Sequence, residues 1–503
     1  MSDSEVLVGI DIGTTSVKAL AEDGSGVSIA RAVRTIDTVS EQEQQAEQDP
    51  YDIYRAVQAV VKEVGEVVKA SGRTITHIGM SAAMHSLMVI DDAGNPLTPL
   101  YTWMDLRAKE VSQALHTTDA GARRYRRTGT PVHAMTPAVK LQWLRTHKPA
   151  LFAAGHRFVS CKEWLWWRLF GEYVVDESIA SATGLMNLST RQWDEETLTE
   201  LAIPASSLSR IVSTTYTRHG MDMSGIETSG VSKATAVTIG ASDGVLANLA
   251  LGITESENMV LTMGTSLAVR TGSHKIVSDP IGRPFCYILD DTTYIVGGPS
   301  NSGGIVLEWV ANHCGHGDQG TLDERLTALF AEAEHVLLDD LYFLPYVAGE
   351  RAPLWNENAQ ASFIGLKASD QPAHLFRAAM EGILYNARWI AEQLMVAMDE
   401  QPSILVVSGR PFEHAWVQQL TADIFSIPVR VAQADDASTK GAIAMARMAH
   451  SATHLQAITR TLIKTAGAHM ESRTIVPDDL ESRRHALRFA HFQMLVKHLI
   501  PSV

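Results

Sequence analysis

The sequence predicts an α/β protein of two similar domains, each built on a mixed sheet. Three observations lead to this. The 503 residues exceed what one hydrophobic core ordinarily organises. Strand-like and helix-like segments alternate through the first third of the chain. The stretch "GIDIGTTSVKAL" at 9–20 returns as "VLTMGTSLAVRT" at 260–271, each time with Gly-Thr at the tip of an apolar hairpin.

In chain order, "VLVGIDIG", "SVKALAED" and "GVSIARAVRT" read as strands. The links between them are too short for a crossover, so these three pair antiparallel. "YDIYRAVQAVVKEVGEVVKA" at 51–70 carries apolar residues at helical spacing, and "HIGMSAAMHSLMVI" at 77–90 reads as one further strand. Antiparallel and crossover connections together require a mixed sheet. From about 108 to 230 the pattern turns helical, as in "LQWLRTHKPALFAAG" and "KEWLWWRLFG", which marks an insertion capping the first sheet. "NMVLTMGTSLAVRTG" and "CYILDDTTYIVGG" then open the second half as hairpins. The boundary is placed at 250/251, and the last ~50 residues, with "ESRRHALRFAHFQMLVKHLI", form an amphipathic helix for either domain.

Composition narrows the function. Forty-two basic against 57 acidic residues, a formal charge of −15, disfavour nucleic acid and anionic membranes as partners. Three scattered cysteines, no basic leader and no apolar run near ~20 residues predict a soluble cytoplasmic protein. No GxxxxGK[ST] loop is present, so any nucleotide is held by other means, and "GSGVSI" at 24–29 lacks the third glycine of a dinucleotide fingerprint.

Several short stretches could carry chemistry. At both hairpin tips glycine lets backbone N–H groups approach an anion and the hydroxyls can bond phosphate oxygens, although Gly-Thr is also ordinary turn chemistry. "IGASDGV" at 239–245 admits three readings: Ser242 as the nucleophile of a GxSxG elbow, Asp243 as a proton acceptor, or Asp243 as the cap of the helix that follows. Met84 and His85 fall at the end of an apolar strand. Trp103, Asp105 and Arg107 follow in "TWMDLRA", offering an apolar face with donors and acceptors for a polyol or sugar acid, or else a plain Asp105–Arg107 salt bridge. "HCGHGD" at 313–318 has no second ligand cluster and reads as loop rather than zinc site, and the tryptophans of "EWLWWRL" read as core.

Two long blocks connect these stretches to a family. "MTPAVKLQWLRTH" at 135–147 and "ASFIGLKASDQPAHLFRAAME" at 361–381 resemble the two signatures of the FGGY carbohydrate kinases, actin-like ATPases of ribonuclease-H fold. "AEQDP" at 46–50, "WMDLR" at 103–107 and "GERAPLWN" at 349–356 are similar to further family blocks in the same order. The resemblance implies two ribonuclease-H-like domains with a cleft between them: a sugar-binding N-terminal domain (1–250) and a nucleotide-binding C-terminal one (251–503). It implies ATP and Mg2+ as cofactors, with Asp11 and Asp243 serving the metal and Asp243 acting as general base. Gly13, Thr14, Thr15, Lys18, Gly264, Thr265, Gly304, Gly409 and Arg410 would hold the nucleotide. Met84, His85, Trp103, Asp105, Arg107 and Asp243 would face the sugar.

Within the family, "SAAMHSL", "RRTGTPVHAMTP" and "VVDESIASATGLMNL" are most similar to gluconate kinases, with xylulose kinases next. Gluconate's carboxylate needs a donor or cation, for which Arg107, His85 and His133 are the candidates. One departure stands out: where the family has two consecutive glycines for adenosine, this chain has Gly409-Arg410. Arg410 is expected to stack on adenine, reach a phosphate or obstruct the nucleotide, and obstruction would leave a non-catalytic sensor. A serine hydrolase using Ser242 is the rival from another class. The expected partner is a small sugar or sugar acid, and a homodimer is compatible with the sequence.

Overall fold

The computed structural model describes residues 5–500 except 43, 223, 225–229, 280–283, 316–319, 433–434, 452–454, 461 and 463–472. The chain divides into two compact units. The first gathers residues 1–254, 273–295 and 435–466; the second gathers 255–272, 296–434 and 467–503. Each unit is thus discontinuous in sequence, with residues 273–295 and 435–466 grouped with the first.

The first unit is built on a six-stranded sheet in the order Thr217–Arg218, Ala236–Ser242, Thr74–Ala82, Glu5–Ile12, Ser16–Asp23, Ser28–Thr35. The last three form the expected antiparallel meander, with Asp11 opposite Lys18. Glu5–Ile12 pairs parallel with Thr74–Ala82, which pairs parallel with Ala236–Ser242. The crossover between the first parallel pair is the helix Pro50–Ala70. Asp49 caps it by accepting the Tyr51 N–H at 2.8 Å, and Pro50 needs no partner in the first turn. Its buried face, Ile53, Val57, Val60, Val61, Val64 and Val68, recurs every three or four residues and packs on the sheet. Each such side chain contributes about 1.5–3 kcal/mol by leaving water.

The run 77–90 is not one strand. It ends at Ala82, and a short strand, Met88–Ile90, begins after a loop holding Met84 and His85. The loop is buried enough for the apolar pattern to continue through it, which is why periodicity joins the two strands. The opposite face of the sheet is covered by the helix Ala437–Ser451, from near the other end of the chain. Gly9 and Gly79 allow it to lie directly on the strands: an added Cβ would stand 2.2 Å from the Thr439 carbonyl oxygen at Gly9 and 1.9 Å from that of Ala442 at Gly79.

The second unit repeats this plan. Its strands run Tyr294–Ser300, Leu267–Ser273, Asn258–Met263, Ile404–Ser408, Val429–Val431. The hairpin Asn258–Met263/Leu267–Ser273 is antiparallel, and its first strand pairs parallel with Ile404–Ser408, as Glu5–Ile12 does with Thr74–Ala82. Helix Pro372–Met398 forms much of the core. The terminal helix Asp479–Leu499 belongs to this unit: Tyr385 OH bonds His485 Nδ1 at 2.7 Å, and Arg488 Nη2 pairs with buried Glu381 at 2.9 Å.

Among the described residues no helix is long and apolar enough to cross a membrane. Because the Gly79 Cβ position is filled by backbone, Gly79→Ala is expected to lower stability by about 3 kcal/mol or more, read as a reduced denaturation midpoint.

Candidate active site

Open α/β sheets bind ligands beyond the carboxyl ends of their parallel strands. In the first unit those ends bring together Asp11, the Met84–His85 loop and Asp243. Asp11 stands beside Ser81 in the parallel register, and the Ser81 hydroxyl donates to its Oδ1 at 2.7 Å. Burial pushes the Asp11 carboxyl up, opposed by hydrogen bonds from Ser81 and Ser438 and by the Lys18 charge.

Two residues further on, the hairpin tip is closed by Gly13 N–H donating to Ser16 O at 3.0 Å. Thr14 is held from two sides: its hydroxyl accepts from Trp103 Nε1 at 2.9 Å, and its carbonyl accepts from Gln48 Nε2 at 2.5 Å. Gln48 lies within "AEQDP", which gives that block a structural task. Thr15 is exposed at the tip. Lys18 is half-buried, its Nζ 3.8 Å from Asp436.

Asp243 opens the helix Asp243–Ala250 at the end of Ala236–Ser242, so it is the first helical residue and Ser242 occupies the cap position. Gly240, at φ +67°, allows the strand to bulge just before this turn; a Cβ there would stand 1.9 Å from the Met80 carbonyl oxygen. Asp243 is partly exposed and its Oδ1 accepts the Gly244 N–H at 2.7 Å. Ser242 is fully buried, its Oγ accepting from the Ser178 hydroxyl at 3.1 Å. A buried hydroxyl engaged by another serine is not placed as a hydrolase nucleophile.

His85 is buried at φ +67°, with Nδ1 2.8 Å from the Ala182 carbonyl oxygen and Nε2 3.4 Å from Tyr287 OH. The carbonyl fixes the proton on Nδ1, leaving Nε2 as an acceptor. His133 is also buried, and its Nδ1 accepts the Met135 N–H at 3.1 Å.

Asp105 and Arg107 form the salt bridge that was the plain reading of their spacing. Asp105 is fully buried and takes Arg107 Nε at 2.8 Å and Nη2 at 2.7 Å, together with the Ala46 N–H at 3.0 Å. Arg107 Nη2 also pairs with Glu47, and its guanidinium lies 4.1 Å over the Tyr101 ring. Two carboxylates thus orient this cation through its Nε and Nη2. The pair also fixes the loop that carries Trp103.

A residue that sequence reasoning missed fastens the same region. Lys140, in the first long block, is buried and donates to the carbonyls of His85 (3.0 Å), Thr102 (2.6 Å) and Met135 (2.8 Å). Its three N–H donors join three loops, and burial pushes its ammonium down to about 7.

In the second unit the tip Gly264-Thr265 is exposed, and Gly264 N–H closes the turn on Ser266 O at 2.9 Å. Helix Gly304–His313 docks on it through Gly304 N–H to Gly264 O at 2.8 Å and Ile305 N–H to Thr265 O at 3.1 Å. Buried Glu350, of "GERAPLWN", fixes the preceding loop by accepting from Ser300, Ser302 and the Asn301 N–H at 2.6–2.8 Å. Gly409, at φ +118°, ends Ile404–Ser408 against the Met263 carbonyl oxygen, where a Cβ would stand 1.9 Å away. Arg410 is exposed and its Nη1 pairs with Asp323 at 2.6 Å. His313 stacks on Trp309, whereas His316 and Asp318 lie outside the described residues.

These surroundings separate the two arginines energetically. Arg107→Ala strands a buried carboxylate and is expected to cost about 3–5 kcal/mol in denaturant unfolding. Arg410→Ala removes only an exposed pair and is expected to stay within about 0.5 kcal/mol.

The family models for the FGGY carbohydrate kinases match the chain almost throughout, the N-terminal domain over residues 6–250 and the C-terminal domain over 259–450. A gluconokinase of Bacillus subtilis (strain 168) is 36% identical over 454 residues, 87% of this chain and 86% of that protein. A xylulose kinase from Klebsiella pneumoniae is 26% identical over 505 residues, 98% of this chain and 99% of the other. Among solved structures, a ligand-bound xylulose kinase from Lactobacillus acidophilus has a TM-score of 0.91 at 30% identity, covering 99% of both chains. Gluconate kinase from the same organism has 0.90 at 30%, covering 98% of each. The duplicated sheets and their glycine-tipped hairpins are thus those of a sugar kinase, and the chain belongs to the FGGY family of carbohydrate kinases.

Proposed function

We propose that the protein is a gluconate kinase, transferring the γ-phosphate of ATP to a hydroxyl of gluconate. The observation that carries the choice of sugar is the 36% identity to two gluconokinases, against 26–29% for the glycerol and xylulose kinases. Xylulose is the second reading, favoured by the similarity to the Lactobacillus acidophilus xylulose kinase structure.

Asp243 is the general base in this reading, half-exposed at a strand end that delivers it to the same edge as Asp11. It takes the proton of the attacking hydroxyl, which strengthens the nucleophile as the oxygen–phosphorus bond forms. Met84, His85 and Trp103 line the sugar subsite, with Asp105 and Arg107 holding it from beneath. His85 Nε2, an acceptor, would exchange its 3.4 Å contact with Tyr287 OH for a sugar hydroxyl, and His133, whose Nδ1 accepts the Met135 N–H so that its proton lies on Nε2, is assigned to the carboxylate.

Thr14, Thr15 and Lys18 on one hairpin, and Gly264 and Thr265 on the other, supply hydroxyls, open backbone and charge for the phosphates. Gly304 supports the second hairpin from behind, its N–H donating to the Gly264 carbonyl. Gly409 and Arg410 belong to the adenosine side; Arg410, drawn off to Asp323, leaves the Gly409 backbone accessible rather than blocked.

Magnesium suits the residues present. Asp11 is a buried carboxylate whose charge is penalised by desolvation, so a neighbouring cation would offset that cost. Among the described residues no group of three or more His, Cys, Asp or Glu forms a protein-only cage. A hard cation sharing one or two carboxylates with phosphate oxygens and water fits such a set, and Asp11 and Asp243 would hold it. When bound it would neutralise charge on the transferred phosphoryl group. Three unpaired cysteines support a reducing, cytoplasmic setting.

The test is ADP release in a coupled assay over gluconate, xylulose, ribulose and glycerol. Gluconate is expected to give the highest kcat/KM by about tenfold or more, since a site that pairs the carboxylate is left with unpaired groups by neutral sugars. A higher kcat/KM for xylulose would transfer the assignment to the second reading.

A further inference from the structure

The turn that presents Asp243 is held by groups from the helical insertion, and none of them is needed by the reaction as described above. Lys162 lies in the first turn of the helix Cys161–Phe170, and its side chain is almost wholly buried. Its ammonium donates to Asp176 Oδ2 at 2.9 Å and to the Ala241 carbonyl at 3.0 Å. Asp176 uses its other oxygen, Oδ1, to accept the Ile179 N–H at 2.9 Å, capping the short helix Glu177–Ser181. From that helix Ser178 donates its hydroxyl to Ser242 Oγ and accepts the Ser242 N–H, both at 3.1 Å. The two residues immediately before Asp243 are therefore each fastened to the insertion, one through its carbonyl and the other through its amide and hydroxyl.

Stability alone does not account for this arrangement. A buried ion pair can often be replaced by apolar side chains at no cost, because desolvation consumes most of the attraction. The pair does what an apolar contact cannot: it fixes a backbone carbonyl in direction as well as position. Burial pushes the Lys162 ammonium down, opposed by its bond to Asp176 and by the charges of Asp176, Asp243 and Asp11.

We propose that Lys162, with Asp176 and Ser178, is a positioning device for the reaction, setting the Ala241–Ser242 backbone so that Asp243 meets the sugar hydroxyl at the right distance and angle. This rests on the reading of Asp243 as the base. A misplacement of about 1 Å costs roughly 100-fold in rate, so the device acts on kcat and leaves substrate binding alone.

The experiment compares the parent protein with Lys162→Met, the double variant Lys162→Met/Asp176→Asn, and Ser178→Ala, measuring kcat, KM for gluconate and for ATP, and thermal midpoint. Lys162→Met strands a buried carboxylate and is expected to lose stability. The double variant leaves no charge unpaired and retains a capping side chain, so its midpoint recovers toward the parent's. Its kcat is expected to stay about 100-fold down with both KM values near the parent's. A double variant with parental kcat, or one whose loss falls entirely in KM, overturns the proposal.

Should the double variant not fold, Ser178→Ala decides: a kcat about tenfold lower at unchanged KM supports the role, and an unchanged kcat overturns it. A parent protein inactive on every sugar tested overturns the reading of Asp243 itself. An active parent with equally active variants overturns only the positioning role.

Discussion

The structure of the first unit depends on one constraint, the parallel pairing of Glu5–Ile12, Thr74–Ala82 and Ala236–Ser242. Parallel neighbours end on the same edge of a sheet, so residues 11, 82–85 and 243, far apart in sequence, arrive together without any contact being made for that purpose. Close packing preserves the edge. Helix Ala437–Ser451 lies on two glycines, and a bulge at Gly240 turns the last strand into a helix at the point where Asp243 begins. The second unit applies the same constraint through Asn258–Met263 and Ile404–Ser408. A duplicated plan of this kind gives two glycine-tipped hairpins, each with threonine at its turn.

Around that edge the buried charges are arranged in closed sets. Arg107 serves Asp105 and Glu47, Lys162 serves Asp176 and a carbonyl, and Lys140 serves three carbonyls. Each set is costly to desolvate and costly to break, so its members hold one geometry. Rigid support of this sort is what a phosphoryl-transfer site needs, because in the proposed reaction the protein contributes mainly position and charge. The groups proposed above to meet ligands, Asp243, the Thr15 and Thr265 hydroxyls and the two buried imidazoles, are not members of these three sets.

Much of this was legible in the sequence. Short links forced the antiparallel meander, the helical spacing of 51–70 located the crossover helix, and the repeated Gly-Thr tip announced two related hairpins. The three readings of "IGASDGV" were narrowed by burial and helix register, since Ser242 is enclosed and is itself the cap residue, whereas Asp243 is partly exposed. Other features were hidden for definable reasons. A buried loop is as apolar as a strand, so the break at 83–86 left no mark on periodicity. Lys140 and Lys162 were not singled out because the carbonyls and the Asp176 carboxylate that bind them are brought up by the fold, not by local spacing. The return of 273–295 and 435–466 to the first unit is a matter of long-range contact, on which local pattern carries no information. Asp105 and Arg107 showed the right residue types for a sugar pocket, but their two-residue spacing also suited a salt bridge, and that is what they form.

In the proposed reaction the carboxylate at the end of Ala236–Ser242 removes the proton from the sugar hydroxyl during transfer. Rapid-quench single turnovers with γ-labelled ATP and gluconate, comparing the parent protein with Asp243→Asn, test it most directly. Label transfer is expected to slow by about 100- to 10,000-fold while both ligands still bind in calorimetry. Transfer at the parental rate in Asp243→Asn would contradict it.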